Sequence, residues 1–273
     1  MNARKIPGTI ALALAVAAGS WAGDEPAKPD TKGDHPWKGA AAKYRIAIGS
    51  TPPRPLTLRE EPALNWTNPQ RRADDGSVFV WLDRGRPEVA ASFYRYNLDG
   101  RRIEDNEFVS LSTSPLTASR EGEVVWALPE GHVRPEPIPG APRPAATPAE
   151  RLRQLKALAR EFRANFNNPP DLSEIRPLTQ PIYRFETEGK RPDVLDGALF
   201  AYVHTTDPEV LLAIEARPES EGGPMAWHFS CARMSMVNLR VFHKDREVWS
   251  CVWDNDYRGP TKPYMVLSRP SSR

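Results

Sequence analysis

His204 and Asp207 stand three residues apart in "HTTDP", a spacing at which a carboxylate can orient an imidazole for proton transfer. The same residues also make a turn capped by Asp and Thr side chains, which needs no chemistry. Glu88 and Glu209 each follow a proline at the start of a strand. Alone they read as solvated carboxylates beside turns; brought together by a two-fold axis they would form an acid/base pair. Asp254 and Asp256 in "WDNDY" lack the glycine and distal glutamate of a calcium loop. None of the histidines (His35, His132, His204, His228, His243) belongs to an HxH or HExxH pattern, and neither a GxSxG elbow nor a P-loop occurs. The candidate catalytic residues are therefore Glu88, Glu209, His204 and Asp207, with no metal and no cofactor expected.

Cys231 and Cys251 are the two cysteines, 20 residues apart. A bridge between them would add roughly 3 kcal/mol in the loop-entropy model. If "WHFSCA", "NLRVFH" and "EVWSCV" form a simple meander, however, the cysteine strands flank a third strand. They then lie about 9.5 Å apart at two strand spacings, beyond disulfide reach. Disulfide and buried free thiols both stay open at this level.

The elements that must position these residues begin with a leader. Arg4 and Lys5, the apolar run "IALALAVAA" and the small residues of "GSWAG" follow the order of a secretory signal peptide, residues 1–22. The apolar run is far below the roughly 20 residues of a membrane span. Removing residues 1–22 leaves 35 basic residues against 35 acidic ones. That balance speaks against a nucleic-acid partner, which demands a basic surplus or face. Residues 23–42 are polar and aperiodic and read as a flexible tether.

Short strands follow. "KYRIAI" alternates Tyr44, Ile46 and Ile48 on one face. Ser77–Leu82 and Glu88–Tyr96 form a hairpin around "DRGRP", and "EFVSLST" and "EVVWAL" complete a first β half over 43–128. Seven prolines crowd residues 129–148, so 129–147 reads as an extended connector that could cross the whole body. A helix is expected over 148–166: Thr147 caps it, Pro148 suits its first position and Glu150 completes a capping box. Leu152, Leu155, Ala159, Phe162 and Phe166 make its apolar stripe, and Arg153, Lys156, Arg160 and Arg163 a solvated basic edge. A second β half spans 175–254, and 255–273 reads as a loop-like tail.

The two halves echo one another. With Asp75 set on Asp196, an offset of 121 residues, "DGSVFVWLDRGRPEVAASFYR" and "DGALFAYVHTTDPEVLLAIEA" share Asp-Gly, a Phe and Pro-Glu-Val. At an offset of 123, Ser112/Ser235, Leu116/Leu239, Val125/Val248 and Trp126/Trp249 coincide. This pattern points to an internal duplication. Each half would be an antiparallel meander with one apolar face, buried against the other half. The fold class expected is β-rich α+β, two similar meanders packed as a sandwich or barrel-like body with one main helix. Trp81/Tyr202 and Trp126/Trp249 are expected inside it.

Two resemblances add to this reading. "GSVFVWLDRGRPEVAASFYRY" resembles the opening hairpin of flavin-binding split barrels of the pyridoxamine-phosphate-oxidase type, which implies a flavin oxidoreductase. "LNWTNP", "GRPEVAASFYR", "RLRQLKALAREF", "DGALFAYVHTTDPEVLLAIEARP" and "REVW" resemble an uncharacterised family of exported planctomycete-type bacterial proteins, which implies no activity. The function expected is an exported, non-enzymatic domain that binds or scaffolds in the periplasm or cell envelope, its partner there unidentified. The alternatives are a carboxylate hydrolase and the flavin enzyme.

Overall fold

The computed structural model describes residues 36–69, 73–187, 189–253 and 255–270, apart from the side chain of Asp74. The expected signal peptide and the first part of the expected tether lie outside the described residues. The chain forms α1 (Lys38–Ala41), β1 (Tyr44–Ile48), β2 (Arg54–Pro55), β3 (Thr57–Leu58), β4 (Leu64–Asn68), β5 (Ala73–Asp83), β6 (Arg86–Leu98), β7 (Arg101–Ser110), β8 (Leu116–Arg120), β9 (Glu123–Leu128) and β10 (Glu136–Pro137). It continues with α2 (Pro148–Ala159), β11 (Phe162–Phe166), β12 (Glu174–Pro177), β13 (Tyr183–Arg184), β14 (Asp196–His204), β15 (Asp207–Pro218), β16 (Met225–Arg233), β17 (Leu239–His243), β18 (Arg246–Cys251) and β19 (Tyr264–Pro270). Among the described residues no helix is long and apolar enough to cross a membrane.

Two similar antiparallel meanders build a β-rich body. In the first half β5, β6 and β7 lie side by side, and β2, β1, β8 and β9 form a second sheet. In the second half β14, β15 and β16 take the central place; β12 pairs both β14 and β11, so the sheet continues through β17 and β18 and curls like a half-barrel. The pairings correspond residue by residue. Trp81 faces Val89 and, after a bulge, Leu82 faces Pro87; Tyr202 faces Val210 and, after a bulge, Val203 faces Pro208. The bulge between Ala118 and Ser119 has its counterpart between Val241 and Phe242. The edge strands are exchanged: β10, which follows the first meander, pairs β16 of the second, and β19, which follows the second, pairs β7 of the first.

Contacts between the halves come in reciprocal pairs. Glu186 N donates to Gly85 O in the turn after β5 (3.0 Å), and Thr67 N donates to Thr206 Oγ1 in the turn after β14 (2.8 Å). Thr67 and Glu186 hold equivalent positions, as do Gly85 and Thr206. Self-complementary contacts of this kind are what a two-fold relation produces.

Side chains alternate across each central strand and so reach two different cores. Phe79, Trp81, Val89 and Phe93 join Tyr44, Phe108 and Trp126 inside the first half. Their counterparts Phe200, Tyr202, Val210 and Ile214 join Phe162, Phe229 and Cys231 inside the second. The alternate residues, Val78, Val80 and Ala90 with Leu199, Ala201 and Leu211, meet in a third core between the halves. With both faces covered, these strands read as near-continuous apolar runs. Trp81, Tyr202 and Trp126 are buried as expected, and Trp249 is half-buried. The recurring Asp-Gly has a physical reason. A Cβ on Gly76 would lie 2.2 Å from the Trp66 ring and one on Gly197 2.5 Å from the Phe185 ring, so each strand must be bare where an aromatic crosses it.

Several expected boundaries shift. The helix stops at Ala159, and Phe162–Phe166 is a strand paired with both β12 and β17. Phe162 and Phe166 are four apart, which suits either period; Ala164 between them is also buried, and strand pairing decides. The helix buries Arg151, Leu155 and Leu158, and Arg151 reaches Asp196 at 2.7 Å. The end of the expected tether belongs to the body: Trp37 is buried against Phe93 and α1 follows it. The expected loop-like tail contains β19, whose Tyr264, Met265 and Val266 are buried. The proline-rich connector buries Val133 and Ile138 and places β10 on β16. The simple meander assumed for the cysteine strands does not form, because β17 pairs β11 and β18 instead of β16. Cys231 and Cys251 are free thiols.

Candidate functional site

Two equivalent places between the halves are filled differently. At the correspondence of the central hairpins, Arg86 matches Asp207, Glu88 matches Glu209, and Tyr94 matches Glu215. In the first place Arg86 is buried and its guanidinium spans the halves. Nε donates to Glu215 Oε2 at 2.8 Å and Nη2 to Oε1 at 3.2 Å. Nη1 lies 2.9 Å from Glu88 Oε2 and also donates to the carbonyls of Pro87 and Leu111. Arg191 holds the other Glu88 oxygen at 2.8 Å and pairs with Asp193 at 2.6 Å; Arg217 adds a 3.1 Å contact to Glu215. Burial by itself would raise the Glu215 carboxyl, but the Arg86 charge and hydrogen bonds, with Arg217, bring it below the ordinary glutamate range. This place is a closed, paired network.

The second place is open. A cleft of about 340 Å³ takes Trp66, Tyr94, Tyr96, Asp105 and Glu107 from the first half and Asp207, Met234, Ser235, Met236, Val237 and Trp253 from the second. Strand register explains the grouping. Tyr94 lies opposite Asp105 on the β6–β7 ladder and Ser92 opposite Glu107, so these residues share one face. Trp66 donates from Nε1 to Ser92 Oγ at 3.0 Å, and its ring sits 5.2 Å from that of Tyr94, which in turn lies 6.0 Å from that of Tyr96. Tyr264 of β19 donates to Glu107 Oε1 at 2.7 Å, and Tyr94 to Asp105 Oδ2 at 3.4 Å.

The cleft is electrostatically unlike its counterpart. Burial pushes the Glu107 carboxyl well above its ordinary range, and the charges of Asp207, Asp105 and Glu209 push the same way against the Tyr264 hydrogen bond. Burial also raises Asp105. The Tyr96 hydroxyl is pushed up to about 12 by burial and by Asp105. Glu107 thus keeps its proton to higher pH than an ordinary glutamate and can donate as a neutral acid. Among the described residues no group of three or more His, Cys, Asp or Glu is arranged to hold a metal ion.

The sequence-derived candidates distribute unevenly. Glu88 and Glu209 are buried, not solvated, because the opposite half covers the strand starts. Glu88 is taken up by Arg86 and Arg191, while Glu209 lies near Glu107. His204 and Asp207 are paired across the hairpin but look elsewhere: His204 packs edge-on against Phe166 at 5.6 Å, and Asp207 accepts from Asn68 Nδ2 at 3.1 Å. Asp207 alone of the four lines the cleft. Asp105, Glu107, Tyr94, Tyr96, Trp66 and Trp253 were not singled out by sequence. Their signal is "EDNEF", where acids occupy alternate positions of a strand beside the tyrosines of "FYRY". Comparison of the chain with known protein families, curated proteins and solved structures gives no match.

Proposed function

We propose that the protein is an exported, non-enzymatic binding domain whose ligand site is the cleft between its halves, and that the halves arose by duplication of one unit. The observation that carries the reading is the cleft itself, about 340 Å³, walled from both halves by aromatic rings and thioethers with carboxyl groups among them. A few convergent polar groups on an apolar concave wall is how small-molecule sites are built. The wall phenol Tyr94 donates to Asp105, and burial raises both groups, so they serve a ligand as hydrogen-bonding groups on an apolar wall. Export is supported by the basic, apolar and small-residue order of residues 1–22. Duplication is supported by the matching bulges and the exchanged edge strands.

Thermal unfolding of the purified protein against a panel of small amines, amino acids, sugars and flavins tests the reading. A ligand at about 100 times its Kd stabilises the folded state by roughly 2.7 kcal/mol. At least one class should raise Tm, and Met236→Trp, which fills the cleft, should cancel the rise. No shift with any class, or a shift indifferent to Met236→Trp, rejects the cleft as the ligand site. Turnover abolished by a single cleft substitution rejects the non-enzymatic role.

A further inference from the structure

We infer that the occupant of the cleft is a guanidinium-type cation carried on a flat or apolar stem. This rests on the cleft being the ligand site and adds the chemistry of what fills it.

The chain supplies its own precedent. At the equivalent place a guanidinium, that of Arg86, lies between the halves, held by Glu88, Glu215 and the carbonyl of Leu111. In the cleft the position of Arg86 is taken by the much shorter Asp207, and that of Glu215 by Tyr94. Met234, the counterpart of Leu111, lines the wall. The side chain that fills one place is therefore replaced by an acid in the other, where about 340 Å³ is open. That volume lies at the small end of the roughly 300–1,000 Å³ of small-molecule sites and suits a planar cation with a short stem.

The wall chemistry agrees. Trp66 and Tyr94, 5.2 Å apart, present adjoining ring systems, and Trp253 adds an indole. Aromatic faces attract cations, most strongly when water is excluded. Asp105 is 6% exposed at the cleft; hydroxyls of Ser268, Tyr96 and Tyr94 meet its carboxyl group, Tyr94 on Oδ2, and the geometry leaves Oδ1 open to a further donor. A planar N–H fork matches a carboxylate better than a point charge does. Burial first, and then the charges of Asp207, Asp105 and Glu209, keep the proton on Glu107; those charges would also attract a cation. A neutral sugar donates hydrogen bonds to Asp105 without compensating its charge, and an acid is repelled by it.

Calorimetric titration of the purified protein with benzamidine and agmatine, against the neutral isostere benzamide and against glucose, tests the inference. Benzamidine and agmatine should bind, benzamide should bind at least about tenfold more weakly, and Asp105→Asn should weaken the cations by about tenfold while leaving benzamide unchanged. Met236→Trp should abolish binding of all of them, and an unchanged melting temperature in either variant shows that the fold is intact. If Asp105→Asn does not fold, Ser235→Asp replaces it and should strengthen the cations. Benzamide or glucose binding as tightly as benzamidine overturns the cation and leaves the cleft as the ligand site. Cation binding untouched by Met236→Trp overturns both. Binding by none of the four probes overturns the cation, and the wider thermal panel then decides the cleft independently.

Discussion

Arg86 and Glu215 belong to different halves of the chain, yet two hydrogen bonds of 2.8 and 3.2 Å join them where neither is more than 1% exposed. A buried pair of this kind is weak evidence for net stability, because desolvation opposes the attraction. Losing one partner is another matter, since the remaining charge is stranded. Arg86→Met leaves Glu215 with Arg217 and Glu88 with Arg191, and should cost about 3–5 kcal/mol. The double variant Arg86→Met/Glu215→Leu should cost less than the two single changes combined, by about 1 kcal/mol or more. Urea denaturation of the four proteins measures the coupling; strictly additive losses would show that the two residues act independently.

The same pair sets an acid limit. The folded pKa of Glu215 lies below the unfolded value of about 4.3. Its stabilisation is therefore present above about pH 4.3 and is lost as pH falls through the lower folded value. Asp193, held low by hydrogen bonds from Arg191, adds in the same direction. Melting temperature should fall steeply below about pH 4, and Arg86→Met should fall less steeply there because Glu215 is then held low by Arg217 alone.

Glu107 has the opposite sign. Its folded pKa is raised, so the unfolded chain loses the proton first and stability declines as pH rises from about 4.3 through the folded value. The groups that face it are Asp207, Asp105, Glu209 and the Tyr264 hydroxyl, with Arg233 stacked over the Tyr264 ring. Glu107→Gln keeps a donor and an acceptor and cannot ionise. It should match the parent near about pH 4 and exceed it in melting temperature near about pH 8. A parent and variant that melt in parallel across that range would show that Glu107 is ionised like an exposed acid.

Cysteine chemistry follows from the same burial. Cys231 is buried among Tyr202 and Phe229, and burial pushes its thiol up; the thiol of Cys251 is raised for the same reason. Thiolate is the reactive form. Iodoacetamide should leave Cys231 unlabelled in the native protein and label it after unfolding in urea without reductant. Labelling that requires reductant would show a bridge instead.

What was legible in the sequence is local. The hairpins, their turns and the inward Trp81 and Trp126 follow from period-two patterning within a few residues. Phe162–Phe166 misreads as helix because its two phenylalanines satisfy both periods, and only pairing with β17, some 75 residues away, separates them. Glu88 and Glu209 misread as solvated because the surface that covers them belongs to the other half. The cleft was illegible for the same reason: Tyr94 and Asp105 meet Met234 and Trp253 only once the halves dock. The acids at alternate positions of β7 were the one local clue, since a strand buried on both faces rarely carries them without a partner.

Gly76 and Gly197 turn the relation between the halves into a comparison. Both lie beneath an aromatic ring, Trp66 and Phe185 respectively, and an added methyl would intrude on each at under 3 Å. Gly76→Ala and Gly197→Ala should therefore destabilise alike, each by more than about 1 kcal/mol, because a buried ring must move to admit the methyl. Only Trp66 is a wall of the cleft. Displacing it should weaken benzamidine by several-fold in Gly76→Ala, whereas Gly197→Ala, which moves Phe185, a ring outside the cleft, should bind as the parent does. Denaturation in urea followed by calorimetry on both variants separates the two effects. Equal loss of binding in both would show that affinity follows overall stability, not the position of the Trp66 ring.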